Sequence, residues 1–138
     1  MHHLLDNDVF FAAIYGKHAQ HAAARRWLDQ AKPRGWGVAV ETYLAAVRLL
    51  MNPAVMKSGH LPANRAIEAV ETELAGRHPG RIILARRRPD QTMLNQATGH
   101  KQVMDFWLAQ IASENGCKLA TNDAGLALAW PEFVVRIS

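Results

Sequence analysis

Leu4-Leu5-Asp6-Asn7-Asp8-Val9 is a short apolar run that ends in two carboxylates, at the point where a strand would stop and a helix would begin. A strand covered on both faces reads as an unbroken apolar segment, which is the pattern of parallel sheets. Ligands of open parallel sheets sit outside the carboxyl ends of the strands, so Asp6 falls at a candidate site. Three further acids, Glu41, Asp105 and Asp123, are expected to be brought back to this point by the fold.

Outward from that run, His2 to Asp6 reads as the first strand and Val9 to Ile14 as helix. His18 to Gln30 follows as an amphipathic helix with Ala22, Ala23, Trp27 and Leu28 at helical spacing. Lys32-Pro33-Arg34-Gly35 ends it, and Trp36 to Val40 makes a second strand. Glu41 and Thr42 stand at the next junction, with Thr42 expected to cap a helix over Tyr43 to Met51 that stops at Asn52-Pro53. Leu61-Pro62-Ala63 opens a helix running to about Leu74. Arg81 to Leu84 is a third strand, and Ala85 to Gly99 is irregular with a short helix near Thr92 to Ala97. A longer helix covers Gln102 to Glu114 and closes at Asn115-Gly116. Lys118 to Thr121, Ala124 to Ala129 and Phe133 to Ile137 are read as strand, helix and strand. Strands alternating with helices predict an α/β fold, a three-layer α/β/α sandwich around a central parallel sheet.

The 138 residues suit one domain, 1–138, that buries its own core. With 49% apolar and 20% charged residues the composition is that of a globular protein. The single cysteine, Cys117, excludes an intrachain disulfide and a Cys-based zinc cluster and is expected as a buried strand residue. Asp6 and Asp8 interrupt the apolar residues after Met1, so no signal peptide is read, no run is long enough to span a bilayer, and a cytoplasmic protein is expected. The formal charge of +4 and pI near 9.6 are compatible with a polyanionic partner without requiring one.

Each acid has a bland reading beside a functional one. Asp6 ends a buried strand, where an unpartnered charge is costly; as a helix cap, Asp8 fits better than Asp6. Asp123, within Thr121-Asn122-Asp123, repeats the pattern after the fourth strand, although taken on its own a turn residue is the favoured reading. Asp105 lies inside a helix at the margin of its packed face, and pairing with Lys101 is the competing account. Glu41 has the location of a site residue but also that of a solvated acid at a helix start. Gathered around one crevice, such carboxylates repel each other unless a cation neutralises them. An oxygen-only ligand set favours Mg²⁺ or Mn²⁺ over Zn²⁺, and an ion of that kind suits hydrolysis of a nucleic-acid backbone.

With these residues quoted, the chain resembles a PIN domain, in particular the toxins of VapBC-type toxin-antitoxin pairs. The matching pieces are Leu4-Leu5-Asp6-Asn7-Asp8-Val9; His18 and His21 with Trp27-Leu28; Thr42, Arg48-Leu49-Leu50 and Asn52-Pro53-Ala54-Val55; Gln102-Val103-Met104-Asp105; and Leu119-Ala120-Thr121-Asn122-Asp123. The resemblance implies a Mg²⁺- or Mn²⁺-dependent endoribonuclease, a homodimer, and a small cognate antitoxin that inserts into the site. Position by position it makes Asp6, Asp105 and Asp123 the metal-binding acids and Thr121 the hydroxyl that positions water or phosphate. Asp8 stands where the family more often has Asn. The family's second acid directly follows the threonine, where this chain has Tyr43, and Glu41 lies on the other side of Thr42.

Two other readings compete. Asp6-Asn7-Asp8-Val9 also resembles the Asp-x-Asp-x-Thr/Val signature of haloacid-dehalogenase-type phosphohydrolases, with Asp6 as nucleophile, but the chain leaves little room for the later motifs and gives Asp105 no role. A catalytically weak PIN fold would instead bind RNA or protein, with Arg86, Arg87 and Arg88 as its surface and Trp36, Trp107 and Trp130 as stacking platforms. A charge run is more often a solvated loop, and tryptophans at these spacings more often fill cores.

Overall fold

A computed structural model describes all of residues 1–138. β1 (His3–Leu5) leads into α1 (Asn7–Ile14) and α2 (His21–Ala31), and β2 (Trp36–Ala39) into α3 (Val40–Met51), α4 (Pro53–Met56) and α5 (Ala63–Leu74). β3 (Arg81–Ile83) is followed by α6 (Gln91–Leu94) and α7 (His100–Glu114), β4 (Lys118–Thr121) by α8 (Ala124–Ala129), and β5 (Val134–Arg136) comes last.

The five strands form one parallel sheet in the order β3-β2-β1-β4-β5. The chain winds outward from β1 to β3 and then returns to the other side of β1, so the order reverses between β1 and β4. Outside the carboxyl ends of those two strands lies the crevice in which this architecture binds ligands.

Alternation along each strand divides the core into two layers. Leu5, Val38 and Ala120 face a cluster built with Phe10 of α1, Leu28 of α2, Leu50 of α3 and Val70 of α5. Leu4, Ala39 and Leu119 face the opposite cluster, built with Leu108 and Ile111 of α7 and Leu126 of α8. Both sides of the pleat are apolar because both are covered, which is the three-layer sandwich expected from the sequence. Gly37 is required by the sheet itself, since a Cβ there would stand 2.6 Å from the Arg81 carbonyl oxygen on β3. Gly116 takes φ +67° after α7, the left-handed conformation a helix end calls for. No helix is long and apolar enough to cross a membrane.

Several local expectations are corrected. Helix α1 begins at Asn7, two residues early, because Asp6 and not Asp8 caps it: Asp6 Oδ1 accepts the Val9 N–H at 2.8 Å. Helix α3 begins at Val40 with no side-chain cap, and Thr42 is a fully buried residue of its first turn. The stripe that α2 buries is Ala24, Leu28 and Ala31, with Ala22 left exposed. Cys117 is buried but precedes β4, and its thiol points to the Ala112 carbonyl. Trp36 is fully buried and donates Nε1–H to the His78 carbonyl at 2.8 Å, while Trp130 packs between Phe106 and Phe133.

Candidate active site

Asp6 leaves β1 with its backbone N–H still bonded to the Ala120 carbonyl of β4, at 3.0 Å. That bond sets its carboxylate against the end of the neighbouring strand. Asp6 Oδ2 accepts the Thr121 hydroxyl proton at 2.5 Å, and Thr121 Oγ1 accepts the Asp123 N–H at 3.0 Å. Asp123 Oδ1 in turn accepts the Leu126 N–H at 3.1 Å, as the cap of α8. Asp6 is 5% exposed and Thr121 is fully buried, so the pair forms the floor of the crevice. Two strand ends that begin helices immediately are thus cross-linked through a carboxylate and a hydroxyl.

Asp105 reaches the same crevice from α7. Asp6, Asp8, Asp105, Thr121, Asn122 and Asp123 line a cavity of about 370 Å³ with no apolar side chain in its wall. Burial is the main reason that Asp6 is pushed up to a pKa of about 6, and the Asp8 and Asp105 charges add to it. The Thr121 and Val9 hydrogen bonds work against this shift without cancelling it. Asp105 is also raised to about 6, by burial first and then by the charges of Asp123 and Asp8. The four carboxylates therefore sense one another across a common space.

No three His, Cys, Asp or Glu side chains form a ready-made metal cage. The acids are close enough to raise one another's pKa but do not converge on a single point. The donor set fits a hard divalent ion nonetheless: it is oxygen only, rich in carboxylate, and destabilised by its own charge. Asp6, Asp105 and Asp123 are the residues that could hold such an ion.

Glu41 does not join them. It stands in the first turn of α3, where its Oε2 accepts the indole N–H of Trp107, and it is absent from the cavity wall. That bond ties the end of β2 to α7 two residues past Asp105, which makes Glu41 a brace for the helix. Tyr43 faces Glu71 of α5, and burial followed by the Glu71 charge pushes its hydroxyl up. Neither side chain supplies the fourth acid. Asp8 does, from an exposed position on the first turn of α1. Asp105 makes no ion pair with Lys101. Sequence reasoning misses Asn122, which lines the cavity with Thr121 and the acids and whose Nδ2 is buried without a partner. Its position between Thr121 and Asp123 is the one signal that points to it.

No family model matches the chain. Curated relatives do. Ribonuclease VapC39 of Mycobacterium tuberculosis is 33% identical over 128 residues, covering 90% of each chain. Ribonuclease VapC29 of the same organism is 32% identical over 127 residues, 90% of this chain and 87% of its own. Ribonuclease VapC38 is 30% identical over 125 residues, 89% and 86% respectively.

Proposed function

Because the chain belongs to the family of VapC-type PIN ribonucleases, we propose that it is a metal-dependent endoribonuclease, the toxin of a toxin-antitoxin pair, and that the crevice between β1 and β4 is its active site. One observation carries the reading: Asp6, Asp105 and Asp123, distant along the chain, line a single all-polar cavity at the point where the strand order reverses.

Asp6, Asp105 and Asp123 are the ligands of Mg²⁺ or Mn²⁺. The bound ion supplies a Lewis acid for the phosphodiester and neutralises the carboxylates among which an anionic substrate must come to rest. Thr121 holds Asp6 in one orientation through its hydroxyl, and the same oxygen anchors the start of α8. Asn122 offers its unpartnered amide as a donor to a phosphate oxygen. Asp8 completes the negative wall, with His18 Nε2 3.5 Å from its Oδ1. The haloacid-dehalogenase reading is not favoured, since the relatives over about 90% of the chain are ribonucleases and that reading gives no role to Asp105, which shares the cavity with Asp6.

The family also supports a cognate antitoxin as protein partner and RNA as substrate. A homodimer is part of the proposal: α3 exposes Leu44 and Met51 and α5 exposes Ile67, apolar side chains that a second copy would cover. A cytoplasmic site of action accords with an RNA substrate. The test is cleavage of single-stranded RNA by purified protein with added Mn²⁺. Asp6→Asn and Asp105→Asn are expected to abolish it while keeping the native circular dichroism spectrum, since Asn also caps helices. Full cleavage by either variant would sink the assignment.

A further inference from the structure

A second cleft, of about 590 Å³, lies between the loop that follows β3 and the carboxyl-terminal half of α7. The loop carries Arg86-Arg87-Arg88, and it is not a loose solvated run. Gln110 on α7 clamps it from both sides: its Oε1 accepts the Asp90 N–H at 2.8 Å, and its Nε2 donates to the Arg88 carbonyl at 3.1 Å. Asp90 then caps α6 by accepting the Met93 N–H at 3.0 Å. Arg87 and Arg88 are exposed at the cleft, and neither guanidinium has an ion-pair partner.

The rest of the wall is not simply basic. Met93 and Phe133 give it an apolar side. Glu114 accepts a bond from Gln110 Nε2 through Oε1 at 2.8 Å, while its Oε2 is buried with nothing to accept from. Two free cations, an aromatic ring and one unsatisfied acceptor match a nucleotide: phosphate on the arginines, base against the ring, amino group on the carboxylate. An acidic protein segment would use the arginines but leave the ring and the lone acceptor without a role.

We infer that this cleft is a second binding place for the substrate RNA, in which Arg87 and Arg88 hold backbone phosphate and Glu114 reads the exocyclic amine of a base lying against Phe133. The inference rests on the ribonuclease reading above and extends it. α7 connects the two places: Asp105 sits in the carboxylate cavity and Glu114 nine residues further along, a rise of about 14 Å at 1.5 Å per residue. Nine residues are also about two and a half turns, so the two side chains leave α7 on opposite faces and one RNA engages both places by passing around the helix. The cleft selects for the base it holds and steadies the strand while the carboxylates act elsewhere along it.

The experiment uses the cleavage-dead Asp6→Asn protein as parent and measures anisotropy of short fluorescent single-stranded RNAs across a salt series. Adding Arg87→Gln and Arg88→Gln should weaken binding about tenfold at low salt. The slope of log affinity against log salt should become shallower by about 1.4, since each single-strand phosphate no longer neutralised takes away ~0.7. In otherwise wild-type protein the same pair should raise KM with kcat and Tm unchanged. Glu114→Gln keeps an oxygen toward Gln110 and turns an amide donor into the cleft, so a preference for adenine- or cytosine-rich over uracil-rich strands should shrink or reverse. Unchanged affinity and salt slope in the double arginine variant overturns the inference, even if binding to a protein partner is altered. If the parent binds no RNA and wild type cuts none with Mn²⁺, the ribonuclease reading itself has failed and the second binding place falls with it.

Discussion

The Thr121 hydroxyl donates to Asp6 Oδ2 at 2.5 Å across 115 residues of sequence, and the same oxygen accepts the Asp123 N–H at 3.0 Å. One buried hydroxyl therefore sets the relative position of two carboxylates, acting as donor to one residue and acceptor for the other. Its geometry follows from register, since Leu5 pairs with Ala120 and the residues after them leave the sheet side by side.

Thr121→Val keeps the shape of the side chain and removes both bonds. It leaves a buried carboxylate oxygen and a backbone N–H without partners, at a cost of ~1–3 kcal/mol. Urea denaturation should show that loss as a lower midpoint with an unchanged slope. RNA cleavage should fall further than stability does, because Asp6 is then free to turn, and Thr121→Ser should restore most of both. If Thr121→Val cleaves at the wild-type rate, the hydroxyl has no part in arranging the acids.

Asp105 is held near a pKa of about 6 by burial and by Asp123 and Asp8, so its charge at neutral pH opposes folding. Asp105→Asn should therefore raise the Tm of the metal-free protein. Discounted for the partial exposure of the group, the relief is of order 1 kcal/mol, or about 3 °C for a chain of this size. Mn²⁺ should raise the Tm of wild type and do little for the variant, because a ligand that binds only the folded state stabilises it only where its site is intact. Calorimetric scans with and without the ion read both effects. Equal gains from Mn²⁺ in the two proteins would place the ion somewhere else.

Much of this architecture can be read from local pattern, and the failures share a cause. Leu4 and Leu5 announce a strand covered on both faces, and Lys118–Thr121 and Ala124–Ala129 form where their apolar and turn residues place them. Choosing between Asp6 and Asp8 as cap is different. It depends on which residue keeps extended backbone, and Asp6 does so at φ −75° and ψ 171° because β4 holds its N–H. Thr42 has the hydroxyl of a cap, yet the packing of α3 against α1 and α5 buries it inside the first turn. Glu41 has the place of a site acid after β2, and only the approach of Trp107 from α7 shows it engaged elsewhere. Packing between segments distant in the chain decides all three.

Arg25 and Glu73 join α2 to α5 on the side of the sheet away from α7. Arg25 donates to Glu73 and to Asp29, and Lys32 also approaches Glu73 at 3.5 Å. Glu73 is 16% exposed at its side chain and serves two cations, so this is not an isolated surface pair. Glu73→Ala should cost ~1.5–3 kcal/mol, the range for hydrogen bonds to charged groups. Cleavage at a temperature well below the midpoint should be unaffected, since the pair lies outside the carboxylate cavity. A stability change under ~0.5 kcal/mol would show that solvent screening dominates at this position.

His3 gives the protein a pH dependence of opposite sign to that of the acids. Burial, with the charges of His2, Arg34 and Lys118, lowers it from 6.5 to about 4. Its Nδ1 is buried without a partner, and its ring packs edge-on against Trp27 at 4.9 Å. Between those two values the unfolded chain binds a proton that the folded chain does not, so His3 withdraws stability as pH falls from 6.5 toward 4. Asp6 and Asp105 are raised instead, so over pH 4 to 6 the folded state holds more of their protons and they add stability as pH falls. The His3 contribution is isolated by subtraction: urea midpoints of wild type and His3→Leu measured across pH 4 to 8. Wild type should lose ground to the variant steadily below pH 6.5, with the difference constant above it. A difference that stays flat down to pH 4 would mean that the buried ring accepts its proton as readily as it does in the unfolded chain.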